Sequence, residues 1–272
     1  MSIADVPDAA NKAAGPLVSI RGVTVRFGGI VALNDVSFDI QRNAICGLIG
    51  PNGAGKTTLF NCLSRLYACE QGDVLIDGSS VIRMPSHHMA EAGLGRTFQN
   101  LAVFATMSVR QNVMVGAHQR TCAGFLASAL RLPKVSREES KLRSDADVLL
   151  QLLQLSDHAD TLVRDLPFAI QKRVEIARAL AAGPKLLMLD EPAAGLNHSE
   201  LEDLKTLVLK VRNDLGVTVL LVEHHMGLVM DICDHLVVLN FGQKIAEGSP
   251  QAVQKSPAVI EAYLGVGNDV DA

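Results

Sequence analysis

Ala44-Ile45-Cys46-Gly47-Leu48-Ile49, with the residues that follow, Gly50-Pro51-Asn52-Gly53-Ala54-Gly55-Lys56-Thr57-Thr58, decides the fold. A compact apolar run that stops at glycine and proline reads as a buried strand. Gly50 to Thr57 match G-x-x-x-x-G-K-[ST], and a helical stretch, Thr57 to Arg65, begins at the end of the pattern. Strand, glycine-rich loop and helix in that order are the context in which this pattern holds phosphates. The glycines let backbone N–H groups approach phosphate oxygens closely, and the helix N-terminus adds a fixed positive potential. Lys56 can reach the β- and γ-phosphates, and the Thr57 hydroxyl can bind Mg²⁺. A plain glycine-rich turn beside a surface lysine is the alternative, and it leaves the flanking strand and helix unexplained.

Such a loop needs a second strand ending in a carboxylate. Leu186-Leu187-Met188-Leu189-Asp190 supplies it. Asp190 would hold Mg²⁺ through water. Glu191 follows at the strand end, where it can act on an attacking water as general base, a role worth roughly 10² to 10⁴ in rate. Further outward, Val18 to Arg26 and Ala32 to Ile40 are β-rich segments joined by a turn at Gly28-Gly29. Val74 to Ile76 is another strand before Asp77-Gly78. Val217 to Val222 and Leu236 to Leu239 are solid aliphatic runs, with a helical stretch, Ser199 to Arg212, before them. Strands alternating with helices predict a parallel sheet covered on both faces. From about Val109 to Leu155 the pattern turns helical, as in Ser136 to Leu155, with Leu142, Val148, Leu149, Leu152 and Leu153 at helical spacing. That block reads as an insertion into an α/β core.

Composition removes several classes. In 272 residues, 25 basic and 29 acidic side chains leave a net charge of −4. No long basic run marks a nucleic-acid surface. The five cysteines, Cys46, Cys62, Cys69, Cys122 and Cys233, are odd in number and form no C-x-x-C pair. A disulfide framework is not expected, and a reducing compartment fits. His87-His88 and His224-His225 are adjacent pairs that no Cys/His spacing completes into a metal site. Met1 to Gly15 lacks the basic and apolar segments of a signal peptide, and no 18-residue apolar run spans a bilayer.

Taken together, residues 17–265 resemble the nucleotide-binding subunit of an ABC transporter. The resemblance implies a P-loop NTPase (RecA-like) α/β core with an antiparallel β subdomain and an inserted helical subdomain. It implies ATP and Mg²⁺ as cofactors, with the loop from Gly50 to Thr58 on the phosphates and Thr57, Gln99 and Asp190 around the metal. Gln99, in Gly95-Arg96-Thr97-Phe98-Gln99-Asn100, resembles the glutamine that senses metal and water and relays to the membrane subunit. His224, after Leu220-Leu221-Val222-Glu223, resembles the switch histidine on the γ-phosphate. Phe27 resembles the aromatic that stacks on adenine, a core role being its alternative. Ala193-Ala194-Gly195-Leu196-Asn197 resembles the loop that contacts the opposite subunit. Finer strings resemble ATPases of branched-chain amino acid importers: Gly95 to Met107, Pro192 to Asn197, Val222 to Met230, Leu239-Asn240-Phe241-Gly242, and Ile245 to Gly265.

One stretch departs from the family pattern. Where Leu-Ser-Gly-Gly-Gln is usual, this chain has Leu166-Pro167-Phe168-Ala169-Ile170 followed by Gln171, before a well-matched helix. Proline removes a hydroxyl and a backbone donor while favouring a helix start. Ala169 keeps its N–H, yet its Cβ holds the backbone from a phosphate or strains a conformation with φ above zero. Two readings stay open: a loop this subfamily tolerates, or a weakened site.

The resemblance sets further expectations. Residues 1–15 form a tail and residues 16–272 one ATPase domain. Its core covers about 16–100 and 165–250, its helical insertion 101–164 and its C-terminal helical tail 251–265. A second ATPase chain is required, a different subunit being expected over a second copy. Two membrane permease subunits and an external solute-binding protein complete the assembly at the cytoplasmic face of the cell membrane. The coupling element of the membrane subunit would dock near Gln99 to Met107, where Leu101, Val103, Phe104 and Met107 are apolar. The rival readings are an ATPase for lipid or lipopolysaccharide export and a regulatory subunit that binds ATP but barely hydrolyses it.

Overall fold

The computed structural model describes residues 15–98, 101–118 and 133–264. Two sheets form. The first is antiparallel, in the order β2-β1-β4-β5, and is built from β1 (Val18–Phe27), β2 (Ile30–Ile40), β4 (Gln71–Ile76) and β5 (Ser79–Ser80). β1 and β2 turn over Gly28-Gly29, with Phe27 opposite Ile30. The second has the order β10-β9-β3-β8-β7-β6. Its members are β3 (Ile45–Ile49), β6 (Leu94–Arg96), β7 (Leu186–Asp190), β8 (Thr218–Val222), β9 (His235–Asn240) and β10 (Gln243–Gly248). All pair in parallel except β10, which runs antiparallel to β9.

Every residue of β3, β7 and β8 is buried, and alternation sorts their side chains to two cores. Ile45 and Ile49 enter the core shared with the helices. Cys46 and Leu48 enter the one shared with the antiparallel sheet. β7 and β8 divide in the same way, Leu187, Leu189, Val219 and Leu221 against Leu186, Met188, Leu220 and Val222. Burial on both faces is why these strands read as solid aliphatic runs rather than alternating ones.

The helices are α1 (Lys56–Leu63), α2 (Val109–Gly116), α3 (Pro133–Leu152), α4 (Phe168–Ala181), α5 (His198–Leu215), α6 (Met226–Ile232), α7 (Pro250–Gln254) and α8 (Pro257–Leu264). Their ends follow local chemistry. Ser108 with Gln111 and Asn197 with Glu200 make capping boxes for α2 and α5, and Gly216 closes α5 at φ 63°. In α3 the inward face differs from the expected one. Val148 is 51% exposed, while Ala146, Leu149, Leu150 and Leu153 are buried. In the run Val148-Leu149-Leu150, three consecutive apolar residues cannot share one face of a helix, and the packing selects the last two.

Strand ends shift by one to three residues from the sequence reading. β6 and β10 were not expected: β6 has only three residues, and β10 is a partly exposed edge strand with polar residues. The turn at Asp77 links the two sheets, its carboxylate pairing with both Arg42 and Lys185. No described helix is long and apolar enough to cross a membrane.

Candidate nucleotide site

The phosphate loop leaves β3 at Gly50 and enters α1 at Lys56. Its path depends on glycine at two points. A Cβ on Gly50 would lie 2.1 Å from the Leu239 carbonyl oxygen of β9, and one on Gly55 would lie 2.7 Å from the Ala32 oxygen of β2. Both residues also have positive φ, 150° and 100°. The loop is therefore pressed against both sheets and stays open on its other side. Around Gly53 nothing lies within 4 Å of a Cβ position. Ala54 is buried, while Asn52, Gly53 and Thr57 are exposed, and Pro51 and Thr58 are intermediate. Gly242, in the β9–β10 turn, donates its N–H to the Ala54 oxygen at 3.0 Å.

Lys56 is buried, and its Nζ donates to the Gly50 oxygen at 2.7 Å and the Pro51 oxygen at 2.9 Å. The ammonium thus lies folded over the loop. Burial pushes the Lys56 pKa down, opposed by the nearby Glu191 charge.

β7 delivers the two carboxylates. Asp190 is buried, and burial raises its pKa. Arg96, at the end of β6, opposes that rise with a guanidinium 3.5 Å from the Asp190 carboxylate. Arg96 is wedged between the Phe60 and Phe98 rings, 4.7 and 5.3 Å from their centroids, and also donates to the Ser64 hydroxyl. Glu191 leaves the strand with φ 48°, a left-handed conformation uncommon outside glycine. Its N–H donates to the Val222 oxygen at 2.9 Å, and its Oε1 lies 2.8 Å from His224 Nε2. Glu191 and His224 are thus brought together from the ends of adjacent strands β7 and β8.

Phe27 is 47% exposed, so it does not serve the core. Its ring meets Tyr67 edge-on at 5.3 Å. Gln99 lies outside the described residues. In the docking stretch Phe104 is exposed, whereas Val103 packs against the helical core and Leu101 and Met107 are half-buried.

The donor set fits a nucleoside triphosphate with a divalent cation. An open, glycine-shaped loop at a helix N-terminus and one buried ammonium suit polyphosphate. A buried carboxylate and an exposed threonine hydroxyl supply oxygen ligands of the kind Mg²⁺ takes.

Comparison with known proteins agrees with this geometry. Residues 33–194 match the family model described as "ABC transporter". The chain is 42% identical over 250 residues to the high-affinity branched-chain amino acid transport ATP-binding protein BraF of Pseudomonas aeruginosa. That match covers 92% of this chain and 98% of the relative. The chain belongs to the ABC transporter ATPase family. The corresponding LivG protein of Escherichia coli K12 is 41% identical over the same shares of both chains. Residues 243–269 match a second model, "Branched-chain amino acid ATP-binding cassette transporter". The lipopolysaccharide export protein LptB of Haemophilus influenzae is 35% identical, over 86% of this chain and 90% of that one. Among solved structures, a nucleotide-free ATP-binding cassette from an ABC transporter superposes with a TM-score of 0.79 at 30% identity, over 92% of this chain and 99% of that one.

In this ABC ATPase the departing loop has a simple backbone. Pro167 is the N-cap of α4, with φ −57° and ψ 150°, and Phe168, Ala169, Ile170 and Gln171 are already helical. Ala169 does not have positive φ, so the strain expected of it is absent. Gln171 Nε2 donates to the Leu166 oxygen at 2.8 Å and closes the loop behind the helix start.

Besides Arg96, three charged residues around the site escaped the sequence reading. The buried Glu223 accepts from the Ala193 N–H at 2.6 Å with one oxygen, and from the His224 and His225 N–H groups at 3.1 and 3.3 Å with the other. Glu175 accepts from the Phe98 and Ala102 N–H groups at 3.0 and 3.3 Å. Lys172 reaches the loop after Glu191. Only Glu223 had a local signal, as the residue before the switch histidine.

Proposed function

We propose that the chain powers import of branched-chain or related amino acids through membrane partners, by hydrolysing ATP. The match over residues 243–269 carries this reading, because it lies outside the nucleotide machinery that all such ATPases share. The relatives at 41–42% identity, each covered almost end to end, support it further. The export protein at 35% identity is the weaker likeness.

In this reading the Gly50–Thr58 loop cradles the phosphates, and Lys56 leaves its loop carbonyls for the β- and γ-oxygens. Mg²⁺, held by Thr57, Gln99 and Asp190, would neutralise charge on the phosphates. Glu191 accepts a proton from the attacking water through the oxygen it now shares with His224, and His224 turns toward the γ-phosphate. Phe27 offers its outer face to adenine while Tyr67 supports its edge. The Leu166–Gln171 loop covers the nucleotide of a second ATPase chain. A different partner chain accounts for full catalytic groups beside a departing signature. The proposed division of the chain puts the core around 16–100 and 165–250 and the helical insertion at 101–164. The chain reaches the membrane through permease subunits, and a solute-binding protein delivers the cargo.

Deleting the gene and measuring uptake of labelled leucine tests the reading. Uptake lost on deletion, restored by this chain and not by its Lys56→Ala variant, is expected. Unchanged uptake of branched-chain amino acids with a defect in lipopolysaccharide delivery would transfer the chain to export.

A further inference from the structure

Glu191 is a non-glycine residue in a left-handed conformation at the end of a buried strand. Such a conformation persists where surroundings over-determine it. One side is determined by the sheet, where the Glu191 N–H donates to Val222. The other side is met by a lysine on another element. Lys172 Nζ, on α4, lies 3.4 Å from the Glu191 oxygen, 2.8 Å from that of Pro192 and 2.6 Å from that of Ala194. Three carbonyls of one loop thus converge on a single ammonium. Lys172 in turn sits 5.1 Å from the Phe168 ring centroid. Phe168 begins α4 and packs on Gly195, its ring carbon 3.2 Å from where a Cβ would stand. The loop from Glu191 to Gly195 is therefore fastened to the first turns of α4 at both ends. Its Ala193 N–H is fastened to β8 through Glu223.

We propose that Lys172 is a positioning residue for Glu191, through which the start of α4 sets the conformation of the loop that carries the base. The inference rests on the reading of Glu191 as the base and of the Leu166–Gln171 loop as the cover for the opposite nucleotide. It adds a connection between the two nucleotides of the pair. A displacement of Phe168 and Lys172, made when this loop meets the partner's nucleotide, moves the carbonyls beside this chain's own base. Without the ammonium, the Pro192 and Ala194 carbonyls turn to water, and the Glu191 carbonyl, which also accepts the Ala194 N–H at 3.2 Å, loses its tie to α4.

The test compares Lys172→Met, which keeps the length but not the donors, with Lys172→Arg, which keeps the charge and donors, in the chain assembled with its partner subunits. Hydrogen exchange of peptides covering residues 186–196, Mg-ATP turnover and ATP affinity are measured on each. In Lys172→Met the loop peptides should exchange at least roughly tenfold faster. Turnover number should fall by roughly tenfold to a hundredfold, with ATP affinity unchanged, and Lys172→Arg should recover both losses. Unchanged exchange and turnover in Lys172→Met overturn the proposal. So does a loss of ATP affinity in step with turnover, or an equal loss in Lys172→Arg. If Lys172→Met does not fold, Lys172→Gln, a shorter neutral donor, is judged by the same outcomes. Glu191→Gln runs beside them. Full turnover in that variant refutes the base reading itself. Turnover lost there but intact in Lys172→Met refutes only the role given to Lys172.

Discussion

The phosphate loop and the loop before α4 both enter a helix, and they do so by opposite means. From Gly50 to Gly55 the backbone passes through three positive-φ glycines and lies against the carbonyls of Leu239 and Ala32. A Cβ is excluded at Gly50 and Gly55, so the loop's shape is written into its glycine spacing. From Leu166 to Gln171 the backbone is ordinary: an extended proline cap, then helix. No glycine is required, and many sequences would trace that path. A loop whose shape needs special residues reveals its function in sequence. A loop whose shape needs none can change its chemistry without changing its form.

The largest effects should fall on the first loop. Lys56 is its only full positive charge, and it is buried with its donors on Gly50 and Pro51. Lys56→Ala should abolish turnover and weaken ATP binding by calorimetry while leaving the melting profile cooperative. Equal ATP affinity in variant and parent sinks the assignment. Glu191→Gln comes next. It keeps size and hydrogen bonding but removes the base, so single-turnover hydrolysis should slow by roughly 10²-fold or more, about 3 kcal/mol of barrier. ATP should bind as before. An unchanged rate moves the base elsewhere.

This contrast also explains what could be read in advance. Apolar strands buried on both faces announce β3, β7 and β8, and the residues at their ends, Gly50, Asp190 and His224, follow by position. Glu191 and His224, 33 residues apart in sequence, meet because β7 and β8 are neighbours. Adjacency of parallel strands was inferred from the α/β pattern, but strand order was not. The supporting charges were hidden for a different reason. Glu175 meets Phe98 across 77 positions, and Lys172 meets Pro192 across 20. Both lie on α4, whose apolar pattern says which face is buried but not which polar residues reach past that face to loop backbone. Arg96 beside Asp190 depends on β6, a strand too short for periodicity to detect. Phe27 could be core or exposed by sequence, and only the hairpin register at Phe27 and Ile30 exposes it.

A smaller effect should appear at the rim of the first loop. Base stacking on an aromatic ring contributes roughly 1–3 kcal/mol. Phe27→Ala should therefore weaken ATP binding about tenfold or more while leaving tripolyphosphate binding unchanged. If both ligands weaken together, Phe27 supports the loop rather than the base. Tyr67→Ala should reproduce part of this loss, since it removes the edge contact at 5.3 Å.

The smallest expected effect tests the second loop, and it sharpens the comparison most. Pro167→Ser with Ala169→Gly restores the family's hydroxyl and its glycine. The stability terms nearly cancel. A serine N-cap gains about 0.5–2 kcal/mol, the lost proline gives back about 0.4–1, and glycine in the first turn costs up to about 1. Because Ala169 is helical and Pro167 is already extended, neither change needs the backbone to move. Melting should therefore shift by less than about 1 kcal/mol of stability, so any change in turnover reports on chemistry alone. In the pairing proposed above this loop covers the other chain's nucleotide, and the site on Lys56, Asp190 and Glu191 is covered by the partner. The isolated chain should be mostly monomeric and a poor ATPase, and the restored loop should raise its turnover severalfold at concentrations where it pairs with itself. If the unmodified chain hydrolyses ATP briskly as a homodimer and the restored loop changes nothing, the loop is a tolerated variant. The simple backbone of residues 166–171 would then be all that the nucleotide requires of it.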